Sequence, residues 1–102
     1  MDIRELAKKA LKFRNDRKWA KYHTPKDSSM ALVTEAAELL EHFKWHNEEE
    51  MKEYIVKHKK EIGEELSDVL FWVLVMANDL KIDLNKAFLN KLKRNELKYP
   101  LK

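Results

Sequence analysis

The chain has 102 residues, 44% of them hydrophobic and 38% charged, with a net charge of +3. This size and balance fit a single water-soluble globular domain, residues 1–102, and argue against a disordered or membrane chain. The absence of cysteine excludes disulfides and thiolate zinc sites and suits a reducing, cytoplasmic setting. The longest apolar run, residues 69–77, falls far short of the roughly 20 residues that span a bilayer. The opening MDIRELAKKALKF is too charged to read as a secretion signal.

One glycine and two prolines leave few breakpoints, and residues of high helix propensity dominate. Four helical segments and no strand are expected. The first covers residues 3–22, with Ile3, Leu6, Ala10, Phe13 and Arg17 along one face, and ends at the His23–Asp27 stretch because Pro25 disfavours helix at Thr24. The second starts from a cap at Asp27 or Ser28 and continues to about residue 45, with Leu32, Ala36, Leu39, Leu40 and Phe43 as its apolar arc. Asn47 is expected to cap the third, with Glu48, Glu49 and Glu50 in its first turn. That helix is expected to run to about residue 80, with a break near Gly63. Asp83 caps the fourth, residues 84–98, which stops before Pro100. Residues 66–77 are apolar nearly all round, as in a helix buried on every side. Four helices of this size cannot cover it, so the expected fold is an all-α helical bundle completed by homo-oligomerisation.

Charge is unevenly distributed. Residues 35–68 hold eleven acids against five Lys/Arg, while the segments on either side are basic. That pattern suits a small polyanion held between metal and lysines better than a nucleic-acid backbone, which the acidic centre would repel. Within it, Glu35 and Glu38, and then Glu65 and Asp68, are each spaced i, i+3, which places both carboxylates on one helix face. Glu50/Glu53 and Glu61/Glu64 share the spacing, and most such pairs are solvated faces. The chosen pairs differ because Glu35 borders an apolar arc and Asp68 directly precedes the apolar run. Four partly desolvated carboxylates on neighbouring helices call for a hard divalent cation, and such a cation implies phosphate chemistry.

At these residues the chain resembles the MazG-like all-α nucleotide pyrophosphohydrolases, in particular their dCTP pyrophosphatase branch. The resemblance rests on RNDRKWAKYHTPKDSSMALVTEAAELLEHFKW, EELSDVLFWVLVMA and KLKRNELKYP, which occur in the family's order and cover most of the chain. It implies a Mg²⁺ site, with Mn²⁺ as a substitute, formed by Glu35, Glu38, Glu65 and Asp68; among the glutamates, Glu38 is chosen here as the one that orients or deprotonates water. It implies that Trp19, His23, Trp45 and Trp72 help form the base pocket, and that Lys91, Asn95 and Lys98 meet the substrate. The branch often has arginine where this chain has Lys98, which keeps the charge and loses the bidentate fork. The implied reaction is hydrolysis of a nucleoside triphosphate, such as dCTP or a surplus or modified dNTP, to monophosphate and pyrophosphate. No membrane or stable nucleic-acid partner is implied. The rival expectations are the same fold acting on another pyrophosphate substrate, such as phosphoribosyl-ATP, and a non-catalytic helical module that binds a partner or nucleic acid.

Overall fold

A computed structural model describes residues 1–101, and its four α-helices follow from local rules at most of their ends. Asp2 accepts a hydrogen bond from the Glu5 N–H and opens α1, Ile3–Asp16. α1 stops six residues short of the expected end. The Arg14 carbonyl receives the N–H groups of both Arg17 and Trp19, and Lys18 turns into the left-handed region at φ 58°. The chain then makes a short 3₁₀ turn, Ala20–Tyr22.

Pro25 opens α2, Pro25–Glu41, rather than ending a helix, because a proline at the first helical position has no N–H to leave unpaired. Thr24 is the cap, accepting from the Asp27 N–H at 3.1 Å. Ser28, an expected cap, instead lies inside the helix and is buried. α2 ends at Glu41, and residues 42–45 form a turn.

Asn47 and Glu50 then cap each other's backbone N–H groups and open α3, Glu48–Asp79. The expected break at Gly63 does not occur. α3 kinks instead at His58 (φ −117°, ψ 19°), whose ring Nδ1–H donates to the Tyr54 carbonyl one turn back. α4, Leu84–Lys98, is capped by Asp83 as expected.

α2 and α1 both pack on α3, and these are the two principal interfaces. Among the described residues the buried apolar core is small: Ile62, Leu74, Val75 and Ala77. Residues 69–77 are therefore only partly covered within one chain, and Leu70 is 38% exposed. A groove of about 500 Å³ between α1, α3 and α4 is lined by Ile3, Leu70, Val73, Leu84, Phe88 and Leu89 among others. The radius of gyration is 16.5 Å, against about 13 Å for a compact domain of this length. No described helix is long and apolar enough to cross a membrane.

One polar contact ties α1 to the end of α3. Arg14 is buried and donates two bonds to the Asp79 carboxylate, at 2.7 and 2.9 Å. The guanidinium holds the Asp79 carboxyl below its ordinary value of 3.8, against an opposing effect of burial, with a further bond from Asn78. Arg17, expected along the apolar face, stays exposed, and Arg14 takes the inward position instead.

Because the Asp79 pKa is depressed, its stabilisation is complete above the ordinary aspartate range and is lost as pH falls through the folded value. Asp79→Asn is expected to cost about 2–3 kcal/mol at pH 7, less than a fully buried pair because Asp79 is partly exposed. In urea titrations, the gap from wild type should shrink below about pH 4. A gap that persists unchanged in acid would mean that charge is not what Asp79 contributes.

Candidate functional site

α2 supplies Glu35 and Glu38, and α3 supplies Glu65 and Asp68. The packing of these helices brings the four acids together electrostatically. The Glu35 carboxyl is pushed above its ordinary value of 4.5, first by burial and then by the neighbouring acids Glu38, Asp68 and Glu65. Glu35 lies in the half-buried line of α2 with Leu32 and Leu39, and its Oε2 is buried without a hydrogen-bond partner. Glu38 and Asp68 are exposed. As placed, no three His, Asp or Glu side chains among the described residues are gathered closely enough to enclose an ion.

Beside the acids lies a cavity of about 440 Å³, lined by Phe13, Trp19, Glu35, Ser67, Asp68, Phe71 and Trp72. Its aromatic wall is a chain of edge-to-face contacts. Phe13 meets Trp19 at 5.6 Å and Phe71 at 6.1 Å, and Phe71 meets Trp72 at 5.3 Å between centroids. Such pairs favour a fixed wall over free rotamers. Arg17 covers Phe13 at 3.7 Å from the ring centroid. His23 stands behind the wall with its ring 4.9 Å from Trp72 and its Nδ1 buried without a partner. Burial, then the Arg14 charge, lower its pKa, with Asp79 opposing.

Of the residues implied by the resemblance, Trp19, Glu35, Asp68 and Trp72 line the cavity, with Glu38, Glu65 and His23 adjoining those lining residues. Trp45 does not line it. It is 71% exposed, its Nε1 donates to Glu41, and Lys44 lies over its ring. Lys91, Asn95 and Lys98 sit on α4, also outside the lining. Phe13, expected on the apolar face of the first helix, and Phe71, within the apolar run, also form the wall. Their place in the wall depends on α1 docking on α3, which helical spacing does not encode. His42, given no role from sequence, sets its Nε2 2.5 Å from Glu65 Oε2. The two atoms are within ion-pair range but are not aligned as a hydrogen bond.

Comparison with known proteins gives a consistent picture. The MazG-like family profile matches residues 30–102. The chain is similar to dCTP pyrophosphatase 1 of Bos taurus, 34% identical over 98% of this chain, and to dCTP pyrophosphatase 1 of Homo sapiens, 35% identical over 97%. It spans 59% and 58% of the lengths of those two relatives. The fold is similar to the crystal structure of a pyrophosphatase from Archaeoglobus fulgidus, with a TM-score of 0.89 and 38% identity, covering 97% of this chain and 93% of that one.

The desolvated, crowded Glu35 carboxylate should destabilise the metal-free chain. The cost is present above the raised pKa and disappears in acid below the ordinary glutamate value of 4.5. In EDTA at neutral pH, Glu35→Gln is expected to raise the melting temperature, with the advantage vanishing near pH 4. A lowered melting temperature at neutral pH would show that the charge has a stabilising partner.

Proposed function

Since the chain belongs to the MazG-like family, we propose that it is a nucleoside triphosphate pyrophosphohydrolase acting on dCTP or on surplus or modified dNTPs of the cytoplasmic pool. The observation that carries this reading is the convergence of Glu35, Glu38, Glu65 and Asp68 beside an aromatic cavity. The donor set is all carboxylate oxygen, and Glu35 Oε2 is buried without a partner. These features fit Mg²⁺, or Mn²⁺ in its place. Mg²⁺ keeps several waters and is held by a few carboxylates together with substrate phosphates, so it needs no closed protein cage. When bound, the cation would neutralise phosphate charge and polarise the phosphorus under attack.

The chain's own residues would do the rest. Glu38, exposed at the edge of the cluster, would orient a water toward the α-phosphorus and accept its proton. A bond from the water oxygen to the α-phosphorus would form as the α–β bridging bond breaks, leaving its electron pair on pyrophosphate. Trp72 and Trp19 would cover the base, with His23 fixing Trp72 from behind. Base–aromatic stacking contributes roughly 1–3 kcal/mol per base in single-strand binding, and a similar gain is expected here. Lys91, Asn95, Lys98 and Trp45 would contribute only if another element carries them to the cavity. We place that element in a second copy of the chain, in a dimer or tetramer. The apolar groove between α1, α3 and α4 supports such an assembly, as does Phe88, 62% exposed.

Glu38→Gln and Asp68→Asn are each expected to lower pyrophosphate release from dNTPs by about 100-fold or more with helix content intact. Glu50→Gln, which preserves the capping pair, is the control. Near-normal turnover in both site variants at saturating Mg²⁺ would remove the four acids from the reaction.

Light scattering at micromolar concentration is expected to show a dimer or tetramer. Val73→Asp, in the groove, would bury a charge without a partner at a cost of several kcal/mol and disperse the assembly. A compact, active wild-type monomer would contradict this part of the proposal.

A further inference from the structure

The proposed function leaves unused a connected group of polar rings on the far side of Glu65. His42, the first residue after α2, touches two residues of α3. Its Nδ1 is 2.7 Å from the Tyr54 hydroxyl, and its Nε2 is 2.5 Å from Glu65 Oε2. Tyr54 and Glu65 are three turns apart on α3, roughly 16 Å along a straight helix axis, and the His58 kink lies between them. Tyr54 is itself fixed. Its ring stacks on His58 at 4.1 Å and 16°, and His46 flanks it at 4.4 Å. A carboxylate can only accept, so the tautomer that suits this short contact, which is not aligned as a hydrogen bond, carries the proton on Nε2. Nδ1 then accepts from the Tyr54 O–H.

The geometry points to His42 as a positioning residue that holds the Glu65 carboxylate for a divalent cation, with Tyr54 holding His42. Polar partners behind a metal-binding carboxylate set its orientation and basicity, and losing one typically weakens metal affinity 10- to 100-fold. His42 and Glu65 side chains are only 13% and 23% exposed, so water replaces the contact poorly. The inference rests on Glu65 being a metal residue, as proposed above.

The test measures Mn²⁺ dissociation constants by electron paramagnetic resonance on the full chain without nucleotide. Helix content is checked by circular dichroism. Four variants are compared: Glu65→Gln, His42→Ala, His42→Gln and Tyr54→Phe. His42→Ala should weaken Mn²⁺ binding about 10- to 100-fold, and Tyr54→Phe about three- to tenfold. His42→Gln, which returns an N–H donor toward Glu65, should recover much of the loss, which a purely packing role would not predict. If His42→Ala does not fold, Tyr54→Phe, which removes one oxygen, decides alone. Weakened binding in Glu65→Gln with wild-type affinity in the His42 and Tyr54 variants would overturn the positioning role and leave the metal reading intact. Wild-type affinity in Glu65→Gln would overturn the metal role of Glu65, and the positioning role with it.

Discussion

Arg14 fixes the rest of the molecule through both its side chain and its backbone. Its guanidinium forks onto Asp79 and locks α1 against the end of α3. Its carbonyl receives the N–H groups of Arg17 and Trp19, which ends α1 and sets the direction of the next segment. That segment carries Trp19 into the cavity wall and His23 behind Trp72. A lysine at this position would supply charge without the two-pronged geometry. Losing Asp79 would strand a buried cation beneath the wall.

Elements set by short-range chemistry were legible in the sequence. The Asn47 and Asp83 caps place the starts of α3 and α4, and Pro100 stops α4 at Lys98. The end of α1 was not legible, because it depends on a partner at residue 79. Pro25 was read as a stop because it disfavours helix before it, yet the same residue is well suited to begin one. Gly63 is the weakest helix former in α3, but it faces open space and nothing there forces a bend. The bend occurs where the His58 ring engages the Tyr54 carbonyl. The acid pairs were legible because i, i+3 spacing is a property of the helix itself. Which aromatics form the wall, and which lysines stay away from it, depends on tertiary docking that spacing does not encode.

The acidic cluster works against stability. Glu35 brings a carboxylate oxygen out of water with no partner, among three other acids, in a chain with few buried apolar side chains. Natural sequences keep such a conflict where it serves a site, and locally inconsistent choices elsewhere are unusual. The surrounding contacts limit the damage. His42 stands against Glu65, and the dense packing of α2 on α3 keeps the acids on the two best-supported helices.

The left-handed residue at Lys18 is a seam between two kinds of surface. Every candidate acid lies on α2 or α3, whose contact does not involve residues 17–23. Trp19 hangs from a 3₁₀ turn defined by a few backbone bonds. Substitutions or length changes in that turn can reshape the aromatic wall while the acids keep their spacing. Under the proposed reading, such a chain can drift among bases over evolutionary time without re-inventing how it breaks a phosphoanhydride.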